Sequence, residues 1–173
     1  MNKLIYFPLN VMAAVLIFAA SISLAIARDR TNTDLAKSLV GTWRIVSDVA
    51  VDRDTKEVSY PYGKHPGGYL QYSPGGHMMA VLSDGDMKKA KPPFSDAEKL
   101  GFYNTLAAYC GTYTIEGNTV THHVVAAYRP DWVGSGQVRH VELHGKTLTI
   151  RSASISAATG KRIASTLTWE REE

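Results

Sequence analysis

The sequence has one cysteine, Cys110, in 173 residues. That excludes an intrachain disulfide, so packing and hydrogen bonds must hold the fold. Cys110 stands among Tyr109, Gly111 and Tyr113 with no charged neighbour, the setting of a small buried apolar residue rather than of a reactive thiolate. No pair of His, Cys or acidic residues has a zinc spacing, and the neighbours His122 and His123 would point to opposite faces of a strand. Neither a metal nor a cofactor is expected. There is no G-x-S-x-G elbow, and Gly134-Ser135-Gly136 is followed by no helix, which argues against a hydrolase of familiar type and against a phosphate cradle. Charge of one sign is scarce too: the net charge is +3, and the densest basic group, Lys88, Lys89 and Lys91, runs into Pro92-Pro93. Such a group is a solvated loop, so neither nucleic acid nor an anionic membrane surface is indicated as a partner.

Only one long hydrophobic run is present, and it is N-terminal. Met1-Asn2-Lys3 leads into an uncharged stretch from Leu4 to Ala27, which ends in Ala25-Ile26-Ala27 before Arg28, Asp29 and Arg30. A basic start, an apolar middle and a small-x-small end are the order of a secretory signal. The expected cut lies between Ala27 and Arg28, making residues 1–27 a signal peptide and the protein periplasmic or secreted, with no membrane span after cleavage. An uncleaved anchor is the alternative, since about 20 apolar residues cross a bilayer. Pro8, Asn10 and the basic residues after Ala27 speak against it, because positive charge favours the cytoplasmic side.

Residues 28–38 read as a polar leader without clear period. From Leu39 onward, short β-branched and aromatic runs alternate with Gly, Pro, Asn and Asp turns about every ten residues, the spacing of an all-β sandwich or barrel. Strands are expected over 41–51, 68–73, 77–82, 111–116, 119–126, 137–143, 147–152 and 162–170, the last closing against the first. One helix is expected over about 95–109. Ser95 and Glu98 have capping-box spacing there, and Leu100, Tyr103, Leu106 and Ala107 recur on a face that would pack on the barrel or close one of its ends.

Gly117-Asn118 and Gly145-Lys146 suit two-residue hairpin loops. They would set Ile115 opposite Val120, Tyr113 opposite His122, Leu143 opposite Leu148 and Val141 opposite Ile150. With the apolar members inward, His122 and Arg139 fall inside. Tyr113, His122 and Arg139 then form a polar cluster among apolar walls, which is either a ligand pocket or a structural hydrogen-bond network. Tyr72 and Trp132 either line a mouth or simply pack, and the face of His77 is ambiguous because its turn length is uncertain. No paired carboxylates fall on the expected inner faces.

Gly41-Thr42-Trp43 at the start of the first strand resembles the Gly-x-Trp opening of lipocalins. Gly68-Tyr69-Leu70-Gln71-Tyr72-Ser73-Pro74-Gly75-Gly76-His77-Met78, Tyr109-Cys110-Gly111-Thr112-Tyr113, Val120-Thr121-His122-His123-Val124 and Ser165-Thr166-Leu167-Thr168-Trp169-Glu170 together resemble a bacterial and fungal lipocalin-like family over 39–171. The resemblance implies an antiparallel up-and-down β-barrel of about 8–10 strands with the helix inserted, holding one small ligand. It implies no particular activity. A binder of a small, largely apolar molecule is the first expectation, with Tyr72, His77, Tyr113, His122, Trp132 and Arg139 as candidate contacts. A cyclase or isomerase using His122 as acid or base and Arg139 for charge stabilisation is the second, and a filled envelope barrel the third. Intact-mass and N-terminal sequencing of the protein recovered from its own cell test the export signal. A chain beginning at Arg28 is expected, and one that retains Met1 would establish the anchor instead.

Overall fold

Inward apolar residues alternating with outward polar ones carry the chain through one continuous antiparallel order in the computed structural model, which describes residues 32–156 and 159–172. The expected signal peptide lies outside the described residues. The strands are β1 (Gly41–Asp52), β2 (Val58–Ser59), β3 (Pro66–Tyr72), β4 (His77–Asp84), β5 (Leu106–Glu116), β6 (Thr119–Ala127), β7 (Gly136–His144), β8 (Thr147–Ile155) and β9 (Arg162–Arg171). Their order is β2-β1-β3-β4-β5-β6-β7-β8-β9, and β9 also pairs with β1. Eight strands thus close an up-and-down barrel, with β2 as a short extra strand beside β1. All four expected cross-strand pairs occur, Tyr113 with His122 among them.

Two expectations about helices change. Residues 32–39, all but Leu39 within the stretch read as an aperiodic leader, form helix α1. This helix crosses one end of the barrel: Asn32 Oδ1 accepts from the Gly117 amide in the β5–β6 turn at 2.7 Å, while Leu39 at its other end is fully buried. The second helix, α2, spans only Asp96–Asn104, with Ser95 and Glu98 forming the capping box as expected. Residues 106–109 belong to β5 instead, because Leu106 to Tyr109 pair with Ser83 to Ala80 of β4 and send Ala107 inward. Tertiary pairing overrides the helical preference of Leu and Ala there. Nor does α2 bury an apolar face: none of its residues is buried, and Leu100 is 59% exposed. Cys110 is likewise only partly buried.

The closed end is built around Trp43. Its indole is fully buried, its Nε1 donates to the Leu39 carbonyl at 2.9 Å, and the Arg171 guanidinium lies 4.1 Å above the ring. Arg171 also donates to the Val40 carbonyl at 2.8 Å and to the Ser38 carbonyl, tying the end of β9 to the end of α1. This clamp explains Gly41. Its φ is +138°, and a Cβ there would stand 2.5 Å from Arg171 Nη1. Below Trp43, Leu70, Tyr72, Met78, Val120, Leu148 and Trp169 fill the lumen. Trp43→Ala should therefore cost about 3–5 kcal/mol by cavity formation and lost burial, measured by equilibrium denaturation; a loss below about 1 kcal/mol would refute the clamp as the main support of this end.

Candidate functional site

Past the buried layer the lumen opens into a cavity of about 830 Å³ lined by side chains of β1, β3–β9 and the loops at the open end. Its inner polar group is His122, 1% exposed on β6. Tyr72 Oη lies 2.7 Å from its Nε2 and Tyr109 Oη 3.0 Å from its Nδ1. Burial holds the imidazole pKa down at about 3, with the charges of Arg139 and then His123 adding to the effect, so the ring is neutral. A neutral imidazole offers one N–H and one lone pair, so one tyrosine donates to it and the other accepts from it.

The direction of this chain follows from burial. Tyr72 is 1% exposed, and among the described residues its hydroxyl has no second partner. Were it the acceptor, its own proton would be buried and unpaired, at a cost of about 1–3 kcal/mol. Tyr72 therefore donates to Nε2, Nδ1–H donates to the Tyr109 oxygen, and the Tyr109 hydroxyl proton is left for the cavity that Tyr109 lines. Both nitrogens of His122 are occupied, and the group it offers outward is Tyr109.

Arg139 of β7 faces the same cavity. Its side chain donates to the Val138 carbonyl at 3.0 Å and, weakly at 3.5 Å, to Gln137 Oε1; neither partner is a carboxylate. At the open end the short 3₁₀ turn Pro130–Trp132 sets Trp132 edge-on to Tyr109 and Tyr128, at 5.5 and 5.4 Å between ring centres. Arg129 stacks on Trp132 at 5.2 Å while pairing with Asp131 at 2.6 Å. Tyr103 of α2 reaches Tyr128 at 5.1 Å, so the helix flanks the mouth.

Of the expected site residues, His122, Arg139 and Trp132 come together on the cavity. Tyr72 stands behind His122. Tyr113 packs edge-on to Tyr72 at 4.8 Å and donates to the Ser73 carbonyl at 3.2 Å, a place in the closed half away from the cavity lining. His77 is exposed at the start of β4, outside the barrel.

Tyr109 and Asp48 are among the lining residues that escaped the sequence reading. Tyr109 was placed in a helix. Asp48 was given no face, although Trp43, Ile45, Val49 and Val51 share one phase along β1. A bulge between Ile45 and Ser47 shifts that phase, so Asp48, Ala50 and Asp52 are the buried residues instead. The extra residue of a bulge turns every later side chain over. Burial raises the Asp48 pKa from 3.8 to about 6. Ser152, Ser154 and Ser165 add further polar lining from β8 and β9, so the cavity is more polar than a purely apolar ligand requires. Among the described residues no three His, Cys, Asp or Glu side chains gather as a metal site would need, and no helix is long and apolar enough to cross a membrane.

The fold and site define a small barrel, closed at one end, with a half-polar cavity opening at the other. The chain belongs to the lipocalin-like domain family, whose model matches residues 40–172. No curated protein matches it.

Asp48 and His122 make opposite demands as pH changes. The folded pKa of Asp48 lies above its unfolded value of 3.8, so its contribution is most favourable below that value and is lost as pH rises to about 6. The folded pKa of His122 lies below its unfolded value of 6.5, so its contribution is present above that value and is lost as pH falls toward 3. Each changes stability by about 1.4 kcal/mol per pH unit at full effect. Between about pH 4 and 6, Asp48→Asn should gain stability relative to wild type as pH rises, and His122→Gln should lose it. Urea denaturation across this range measures both slopes, and parallel profiles for all three proteins would refute the burial of these groups.

Proposed function

We propose that the protein is an exported binder that holds in its barrel a small molecule with an apolar body and one anionic or carbonyl end. The observation that carries this reading is Arg139, a permanent cation facing a cavity of about 830 Å³ with no carboxylate among its hydrogen-bond partners in the described residues. A volume of this order suits one small ligand, and a filled barrel does not leave it. The Tyr109 hydroxyl supplies a second donor in the same cavity, while Leu70, Leu82, Ile150, Leu167 and Trp132 supply apolar and aromatic contacts. Export rests on the signal-like order of residues 1–27.

Binding is favoured over catalysis by the state of His122. As acid or base it would need a free ring nitrogen within reach of a substrate, and both are engaged by tyrosine hydroxyls. Native mass spectrometry of the protein from its own compartment should show a retained small molecule. With indole-3-acetate as a probe of the stated chemistry, calorimetry should give at least tenfold weaker binding for Arg139→Gln and a few-fold weakening for Tyr109→Phe. Equal affinity of wild type and Arg139→Gln, or no binding of the probe, would overturn the reading.

A further inference from the structure

We propose that Asp48 forms a second ligand subsite, across the barrel from His122, that takes a protonated amine, so that the natural ligand carries a cationic end as well as an acceptor end. The inference extends the binding reading above and rests on it. Strand order gives the placement: β1 and β6 are four strands apart whichever way the closed sheet is followed.

The first observation is that Asp48 is buried but unfinished. Its residue is 3% exposed, it lines the cavity, and its Oδ1 has no hydrogen-bond partner among the described residues. Asp52, two inward positions further along the same strand, is the contrast: its Oδ2 also lacks a hydrogen bond, but its charge is compensated. It accepts from the amides of Asp54 and Thr55 at 2.8 and 3.1 Å and faces Lys161 at 3.2 Å. Among the described residues Asp48 has no such cation or amide. A buried carboxylate without partners is a standing cost that an apolar residue of similar size would remove. A ligand cation seated against it would offset that cost only in the complex.

The second observation is the bulge that puts it there. Without the register shift between Ile45 and Ser47, alternation would carry Val49 and Val51 to the lumen and Asp48 to solvent. An irregularity of β1 thus replaces apolar lining by a carboxylate at cavity level.

The groups around Asp48 suit an ammonium rather than a second anion. Tyr62, from the loop before β3, senses its charge. On β9 its pairing partner is Leu167, with Ser165 and Ile163 further toward the mouth. Across the cavity stand Tyr109, His122 and Arg139. His122 stays neutral down to about pH 3, and at the mouth Asp131 is already paired with Arg129. Among the described residues Asp48 is therefore the lining carboxylate open to a ligand, and Arg139, on β7, is the lining cation without a carboxylate. A ligand with amine and acceptor at its two ends matches both.

Three probes with one indole body separate the subsites: tryptamine, tryptophol and indole-3-acetate, titrated into the full-length mature protein by calorimetry. Tryptamine should bind wild type and weaken at least tenfold in Asp48→Asn, whereas tryptophol should change less than threefold and indole-3-acetate should bind as well or better. Asn keeps the shape of Asp and removes the buried charge, so a melting temperature at or above that of wild type is expected at pH 7.5. In wild type alone, tryptamine affinity should fall at least fivefold from pH 7.5 to 5 as the carboxyl takes up a proton, a readout independent of any variant. Tryptamine that fails to bind, or whose affinity is unchanged by both Asp48→Asn and pH, overturns the subsite. An equal loss for tryptophol overturns the assignment of a cation. Neither result touches the Arg139 reading, which fails only on indole-3-acetate.

Discussion

Everything in this barrel depends on filling one end and leaving the other empty. Trp43, fixed from above by the Leu39 carbonyl and by the Arg171 guanidinium, anchors a single cluster of fourteen buried apolar residues that fills one end and reaches the cavity, where Leu70, Leu82, Ala107 and Ile150 line it. Because that half supplies the packing, the other half can carry an open volume and a polar lining that would be destabilising if the whole lumen had them. Helix α1 belongs to this arrangement, since it and the residue after it carry the Ser38 and Val40 carbonyls that hold Arg171 in place.

At the boundary between the halves sits the Tyr72–His122–Tyr109 chain. Its deep member, Tyr72, shares the core with Met78 and Val120, and its outer member, Tyr109, touches Trp132 at the mouth. Burial keeps the imidazole neutral, and neutrality gives the chain a direction that ends in a donor aimed at the cavity. His122 thus serves by orienting a tyrosine. Arg139 and Asp48 provide the lumenal charge, and they come from different walls.

Much of the barrel was legible before any coordinates. Period-two alternation and Gly-led turns placed most strands within one to three residues, and the hairpins at Gly117 and Gly145 fixed registers that brought Tyr113 to His122 and Val141 to Ile150. The β5 boundary was missed because Leu106-Ala107-Ala108-Tyr109 is as compatible with the end of a helix as with a strand, and pairing with β4 decides between them. Residues 32–39 showed no amphipathic period because a helix this short needs only Leu35 and Leu39 to seat it.

For the site, His122 and Arg139 could be read as inward because local turn chemistry sets their strands. Asp48 could not: the residues of β1 carry apolar side chains in both phases, and only pairing with β9 forces the bulge that selects one. Nor could any sequence pattern show that Tyr72, fifty residues away, meets His122. The sequence by itself therefore determined the architecture, since strand period, turn residues and the Gly41-Thr42-Trp43 opening act over short stretches of chain. Which side chains share the cavity was decided only by closing the barrel, because that act sets bulges and brings distant strands face to face.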